Sequence, residues 1–276
     1  MKLKALILNT FRELIAKVTL LVIAAFSTGI LVFMAVALSV KQDSLGTIVT
    51  LLGNELGPPL SPESLIEFVK MMQWGFANGL YSGIVLFGVF ATAGILPDLL
   101  EKGAVDLYLS KPLSRWELIS GKYIGAITVM FANVLYFIGA LWIVIGLKVG
   151  VWNANFLLSI FSLTFTFACL YTIVTFFGVI TRSTAISIIG AFAYLFIISP
   201  LLFNREQTLF LFLKDDISRK IVDTLYNILP QISALQEDLK TQIIDGSFTW
   251  KPFIQSAVSS AIIFLGASEI LKRKDF

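Results

Sequence analysis

Histidine is absent from the 276 residues, and cysteine occurs once, at Cys169. The first absence removes imidazole metal ligands, Ser–His and Cys–His nucleophile pairs, and the side chain that titrates near neutral pH. The second excludes a disulfide within the chain; Cys169 lies in an apolar run, where a thiol packs as a small hydrophobe. Charge is also scarce, at 14% of residues, against about 25% in soluble domains. A net charge of +3 is too slight to indicate nucleic acid as a partner. What the chain has in excess is apolar surface: 57% hydrophobic residues and a mean hydropathy of +0.86. That excludes a water-soluble enzyme, and disorder requires the opposite balance. A polytopic membrane protein remains.

A helix needs about 20 apolar residues to cross a hydrocarbon core about 30 Å thick. Six runs meet this, at 18–40, 74–96, 123–147, 156–180, 184–203 and 253–271. Five contain no Asp, Glu, Lys or Arg, and the sixth contains only Glu269, near its end. They lack the two-residue alternation of a membrane barrel. The expected fold is therefore all-α, a single transmembrane domain over 1–276 with six membrane helices. Lys2 and Lys4 precede an apolar run, as in a secretory signal. That run starts only at position 18, however, and is longer than the roughly 7–15 residues of a signal core, so it reads as a retained first span.

Six spans put both termini on one side. That side receives 12 basic residues, from Lys2, Lys4, Arg12 and Lys17 through Lys102, Lys111, Arg115, Lys122 and Arg182 to Lys272, Arg273 and Lys274. The other side has nine, six of them in the long loop 204–252, where charge counts for less. Both termini are expected in the cytoplasm, and the membrane is expected to be a bacterial or archaeal plasma membrane.

The connecting segments carry their own patterns. In 1–17, Leu3, Leu6, Ile7, Phe11, Leu14 and Ile15 recur at helical spacing, as in an interfacial helix or an inward extension of the first span. Ser61, Pro62 and Glu63 form a helix start in the first outer loop, followed by Leu65, Phe68, Val69 and Met72. Ile217, Ile221, Leu225 and Leu229 form a similar stripe in loop 204–252, ended by Pro230. Both segments read as amphipathic helices at the outer leaflet, where they either gate a pathway or cover the spans. Gly75, Gly79 and Gly83 stand at four-residue steps in the second span, a flat face suited to close helix packing. Asn78 and Asn133 are the main amide side chains within spans, and interhelical hydrogen bonding is the expectation for each.

The loop 97–122 is richer than a connector needs to be. A short apolar pattern around Val105 and Leu109 is stopped by Lys111-Pro112, and Ser114 with Glu117 then forms a capping box. The reading is helix, break, helix, lying on the cytoplasmic face as a docking surface. Glu101, Gly103, Leu107, Leu109, Ser110, Pro112, Leu113, Ser114, Arg115, Gly121 and Lys122 together resemble the coupling segment of ABC-2 type transporter permeases. The resemblance extends to the N-terminal surface helix, the six spans, the long outer loop and the basic C-terminus. The subgroup resembled keeps its permease on a separate polypeptide, in copper-processing, gliding-motility and multidrug or ion efflux systems.

The resemblance implies a permease subunit, export as the direction, and a second copy or related permease completing a twelve-span pathway within membrane lipid. It also implies a separate ABC ATP-binding subunit docking on 97–122, with Glu101, Gly103, Leu107, Leu109, Ser110, Pro112, Ser114, Arg115, Glu117 and Lys122 as the coupling residues. No Gly-x-x-x-x-Gly-Lys-Ser/Thr occurs in the chain, so ATP and Mg are expected on the partner and no cofactor on this chain. A secondary transporter or channel is the alternative, disfavoured by the lack of an ionisable side chain in the middle of any span. An intramembrane enzyme finds no catalytic constellation here. A purely structural role needs no pathway at all.

Overall fold

A computed structural model describes residues 10, 19–83, 88–99, 114–213 and 215–273. In chain order the elements are helix α1 (Thr19–Ala37), strands β1 (Leu38–Asp43), β2 (Gly46–Leu51) and β3 (Asn54–Glu55), and helices α2 (Pro62–Gly83), α3 (Phe90–Thr92) and α4 (Ile95–Leu99). The long helices α5 (Arg115–Val149) and α6 (Asn155–Thr181) follow, then α7 (Thr184–Phe203), which contains a π-helical turn at Tyr194–Ile198. The remainder is α8 (Leu209–Phe212), α9 (Asp216–Ile228), α10 (Ile232–Asp245) and α11 (Trp250–Arg273).

Among the described residues, four helices are long and apolar enough to cross a membrane: α5, α6, α7 and α11. They occupy the last four expected spans. The run 18–40 gives a shorter apolar helix that ends at Ala37. The run 74–96 is not one helix. Its first part is the second half of α2, which starts back at Pro62 with the Ser64 amide donating to Ser61 Oγ at 3.3 Å. Thus the outer-leaflet helix and the second span, expected as separate elements, merge through Trp74 because no breaker separates them. Residues 84–87 lie outside the described set, and the chain continues as the short α3 and α4. The interfacial helix expected at 1–17 also lies outside it, except Thr10, which is helical and buried.

The all-α expectation fails in the first outer loop, where β1, β2 and β3 form an antiparallel sheet in that order. Thr47, Ile48, Val49 and Thr50 supply β-branched side chains suited to a pleated surface. Gly46 has φ +144°, and a Cβ there would lie 2.5 Å from the Leu60 carbonyl oxygen, which accepts the Thr47 amide at 3.0 Å. Leu52 and Gly53, both at positive φ, make the tight reversal between β2 and β3. Leu38 and Val49 join the main core, so the sheet is anchored to the helices.

That core is organised around α6, which touches α2, α4, α5, α7, α10 and α11. A helix apolar on every side belongs in the middle of a bundle, and Phe156, Leu163, Phe167, Leu170 and Tyr171 are all essentially inaccessible. Cys169 is a buried free thiol. α10 packs against α6 and α2 through Ile232, Leu235, Leu239 and Ile243. Outer-loop residues thus become part of the helical interior. α9 keeps Ile217, Ile221, Leu225 and Ile228 exposed, the uncovered apolar face of an interfacial helix.

Candidate functional site

The candidate site is the end of the bundle from which loop 97–122 emerges. Glu101, Gly103, Leu107, Leu109, Ser110 and Pro112 fall outside the described residues, but both roots of the loop are inside them. On the incoming side, α4 packs on α6 and α5. Gly178 of α6 allows this approach, since a Cβ there would meet Pro97 at 3.4 Å and Ser187 Oγ at 3.2 Å. On the outgoing side, Ser114 is the N-cap of α5 with both arms of the capping box formed. The Glu117 amide donates to Ser114 Oγ at 3.1 Å, and the Ser114 amide donates to Glu117 Oε2 at 2.8 Å.

The helix beginning there is not a short surface helix followed by a span. It runs unbroken for 35 residues to Val149, about 52 Å at 1.5 Å per residue, well beyond the hydrocarbon thickness. No breaker separates Glu117 from Tyr123, and a single glycine, Gly121, does not stop a helix packed on both sides. The second half of the expected flat segment is therefore the upright base of α5.

Arg115 turns inward. Its Nη1 donates to the carbonyls of Leu271 and Lys272, both at 3.0 Å, at the C-terminal end of α11. A guanidinium there satisfies carbonyls that a helix end leaves open and matches the negative pole of its dipole. Trp116 and Tyr123 pack on Phe264 of α11, with ring centroids 5.6 and 4.7 Å apart. Leu96, Leu118, Ile119, Val179 and Leu271 close a small second core beneath them. Lys122 is 1% exposed, so its side chain is buried within the chain. Of the predicted coupling residues, Arg115 ties the loop root to α11, Lys122 is buried beneath it, and Ser114 and Glu117 form the cap of α5.

Gly75, Gly79 and Gly83 have no helix against them among the described residues: a Cβ on any of the three would meet nothing within 4 Å. They line a cleft of about 290 Å³ between α1, α2 and α5, with Phe26, Met130, Asn133 and Phe137 on its other walls. Close helix packing expected from the glycine spacing is not made within the described chain. Asn78 does reach another helix, accepting from Gln236 Nε2 of α10 at 2.8 Å.

A polar cluster that the sequence did not reveal lies at the opposite end. Asn153 Nδ2 donates to Gln73 Oε1 at 2.9 Å and to the Ile243 carbonyl at 3.1 Å. Ser162 donates to Gln242 Oε1 at 2.7 Å, and Gln242 Nε2 donates to Asp238 at 2.6 Å. Asp238, 5% exposed, also accepts the Thr249 amide at 2.9 Å. These side chains converge only because α10 folds into the bundle; the apolar spacing of Ile232, Leu235, Leu239 and Ile243 was the signal available for it. Nearby, Arg205 pairs with Asp223 at 2.6 Å and lies 3.9 Å over the Tyr226 ring. Burial raises the Tyr226 phenol above its ordinary pKa despite that cation. Among the described residues no three His, Cys, Asp or Glu side chains gather as a metal site.

A search among curated proteins finds no match. The family described as ABC-2 family transporter protein matches residues 5–271. That stretch takes in the loop 97–122, both of its roots and every membrane helix, and the chain accordingly belongs to the ABC-2 transporter family as a multi-pass permease.

Proposed function

We propose that this permease is the membrane subunit of an exporter driven by a separate ATP-binding subunit that docks on 97–122. ATP and Mg are held by the partner, and both termini lie on the cytoplasmic side of the plasma membrane. A second copy, or a related permease, completes the pathway. The observation that carries this reading is the anchoring of the loop: α4 and the base of α5 are both locked into the bundle, and Arg115 ties the exit to α11. A passive connector has no need of such roots, whereas a loop that receives force does. The phosphate-cradling motif is missing from the chain, so the energy source lies in another subunit.

The test is copurification. Replacing 101–112 by a Gly/Ser linker, or introducing Glu101→Lys, is expected to leave expression and insertion intact while an ATP-binding subunit is lost from the purified complex. Retention of that subunit and full transport by both variants would reduce the loop to a connector.

One observation favours an ion-coupled carrier instead: Asp238 is a carboxylate buried among helices, where a coupling ion could bind. Asp238→Asn separates the two readings. ATP-driven export survives it, apart from any loss of stability, whereas ion-coupled transport loses its dependence on the ion gradient.

A further inference from the structure

At the end of the molecule opposite the loop root, the turn between α9 and α10 is buried and held from several helices. Tyr194 of α7 donates to the Pro230 carbonyl at 2.6 Å, and Tyr81 of α2 donates to the Ile232 carbonyl at 3.0 Å. The Gln231 amide donates to Ser256 Oγ of α11 at 2.9 Å. The neighbouring Gln255 donates through Nε2 to the Asn227 carbonyl at 3.0 Å and to Asn227 Oδ1 at 2.9 Å. Two successive residues near the start of α11 therefore grip the end of α9 and the start of α10. Two residues near its finish, Leu271 and Lys272, are gripped by Arg115.

Between these grips α11 buries the small side chains Ser259, Ser260, Ala267 and Ser268, while its Phe264 is clamped by Trp116 and Tyr123 at the base of α5. The interdigitated Phe264 locks α11 to the base of α5, so that the two move together, whereas the small side chains leave shallow ridges against its other neighbours. Two buried hydroxyls on the helices that meet here, Ser120 of α5 and Thr175 of α6, have no hydrogen-bond partner. Such groups are rarely left orphaned in well-packed interiors, so the polar pairing of these helices is incomplete in this arrangement.

We propose that α11 is a sliding rod that carries displacement of the loop root to the 229–233 turn, about 24 Å along the helix between its two grips, with Arg115 as the positioning residue that attaches loop to rod. A shift of α11 along its axis would pull Ser256 and Gln255 from Gln231 and Asn227, leaving the turn on its tyrosine contacts alone. The use of this link in transport rests on the function proposed above. The link itself is a property of the chain and can be tested without any partner.

The experiment is amide hydrogen exchange, read by mass spectrometry, on the full-length permease in lipid nanodiscs. Arg115→Gln, which shortens the donor, is expected to speed exchange at 264–273 and also at 227–233, each on the order of tenfold. Arg115→Lys, which keeps a cationic donor, is expected to restore part of the protection at both ends. Coupling is reciprocal, so Gln255→Ala with Ser256→Ala must loosen 264–273 as well as the turn, which keeps the proposal testable should Arg115→Gln fail to fold. Acceleration confined to the mutated end in both variants would overturn the proposal. Uniform acceleration that includes the β1–β2 hairpin would overturn it too, since that reports a global loss of stability. If the link holds but adding an ATP-binding subunit leaves exchange at 227–233 unchanged, the function proposed for the loop fails and the rod does not.

Discussion

Glycines that look equivalent along the chain meet opposite surroundings. Gly79 faces the open cleft, whereas a Cβ on Gly146 would lie 2.5 Å from the Trp152 ring, itself wedged at 4.6 Å against Trp142. Gly79→Ala is therefore expected to raise stability by about 0.5–1 kcal/mol, through helix propensity alone. Gly146→Ala should lower it by about 1–3 kcal/mol through overpacking. Thermal melting in detergent decides, and a loss for both would place an unseen element on the glycine face. The spacing of Gly75, Gly79 and Gly83 was plain in the sequence, but spacing defines a face and not its neighbour. Thr164, Thr166 and Thr172 show the same limit: their hydroxyls, whose partners the sequence does not reveal, bond carbonyls one turn back in α6. Tyr194→Phe would leave the buried Pro230 carbonyl without its donor, and a loss of about 1–3 kcal/mol in the same melting assay is expected.

Elements followed local signals wherever a signal was local. The cap at Ser61, the capping box at Ser114 and the stop of α9 ahead of Pro230 were all legible, because each depends on residues within one turn. Ser114→Ala with Glu117→Ala should cost about 0.5–2 kcal/mol and fray only the first turn of α5, with insertion unchanged; exchange lost beyond Gly121 would contradict this. The β-hairpin was missed because its β-branched stretch is short and bordered by an apolar run read as helix. Its turn offers a check: Leu52 sits at φ +53°, a region Asn tolerates better than Leu. Leu52→Asn is expected to slow exchange of the β2 amides, and faster exchange would mean the turn is not formed as described. The π turn in α7 has a local cause as well. Pro200 has no amide to donate, and the Ser199 amide reaches back to the Tyr194 carbonyl, letting the helix continue past the proline.

For the whole molecule, orientation across the membrane is the property on which the function turns. The proposed cytoplasmic placement of the loop root rests on the bias of basic residues toward that side, and the structure groups Arg115 with the end of α11 on a common side. With Cys169 replaced, single cysteines at Ser44 and Glu206 should react with an impermeant thiol reagent added outside intact cells. A cysteine at Lys272 should react only after the membrane is opened, and the reverse pattern would invert the molecule and remove the proposed docking loop from the ATP-bearing compartment.

Composition and hydropathy alone were enough to make this a multi-pass membrane protein, and the residues of one loop were enough to identify its family, because membrane burial and short capping motifs are written in contiguous residues. The merger of α2 across Trp74, the inward folding of α10 and the approach of Asp238 to Gln242 and Ser162 were decided only by tertiary structure. So was the partnership of Arg115 with carbonyls more than 150 residues away. A helix stripe or a guanidinium announces a need for a partner, and which partner satisfies it depends on how the remaining helices fill the bundle around α6.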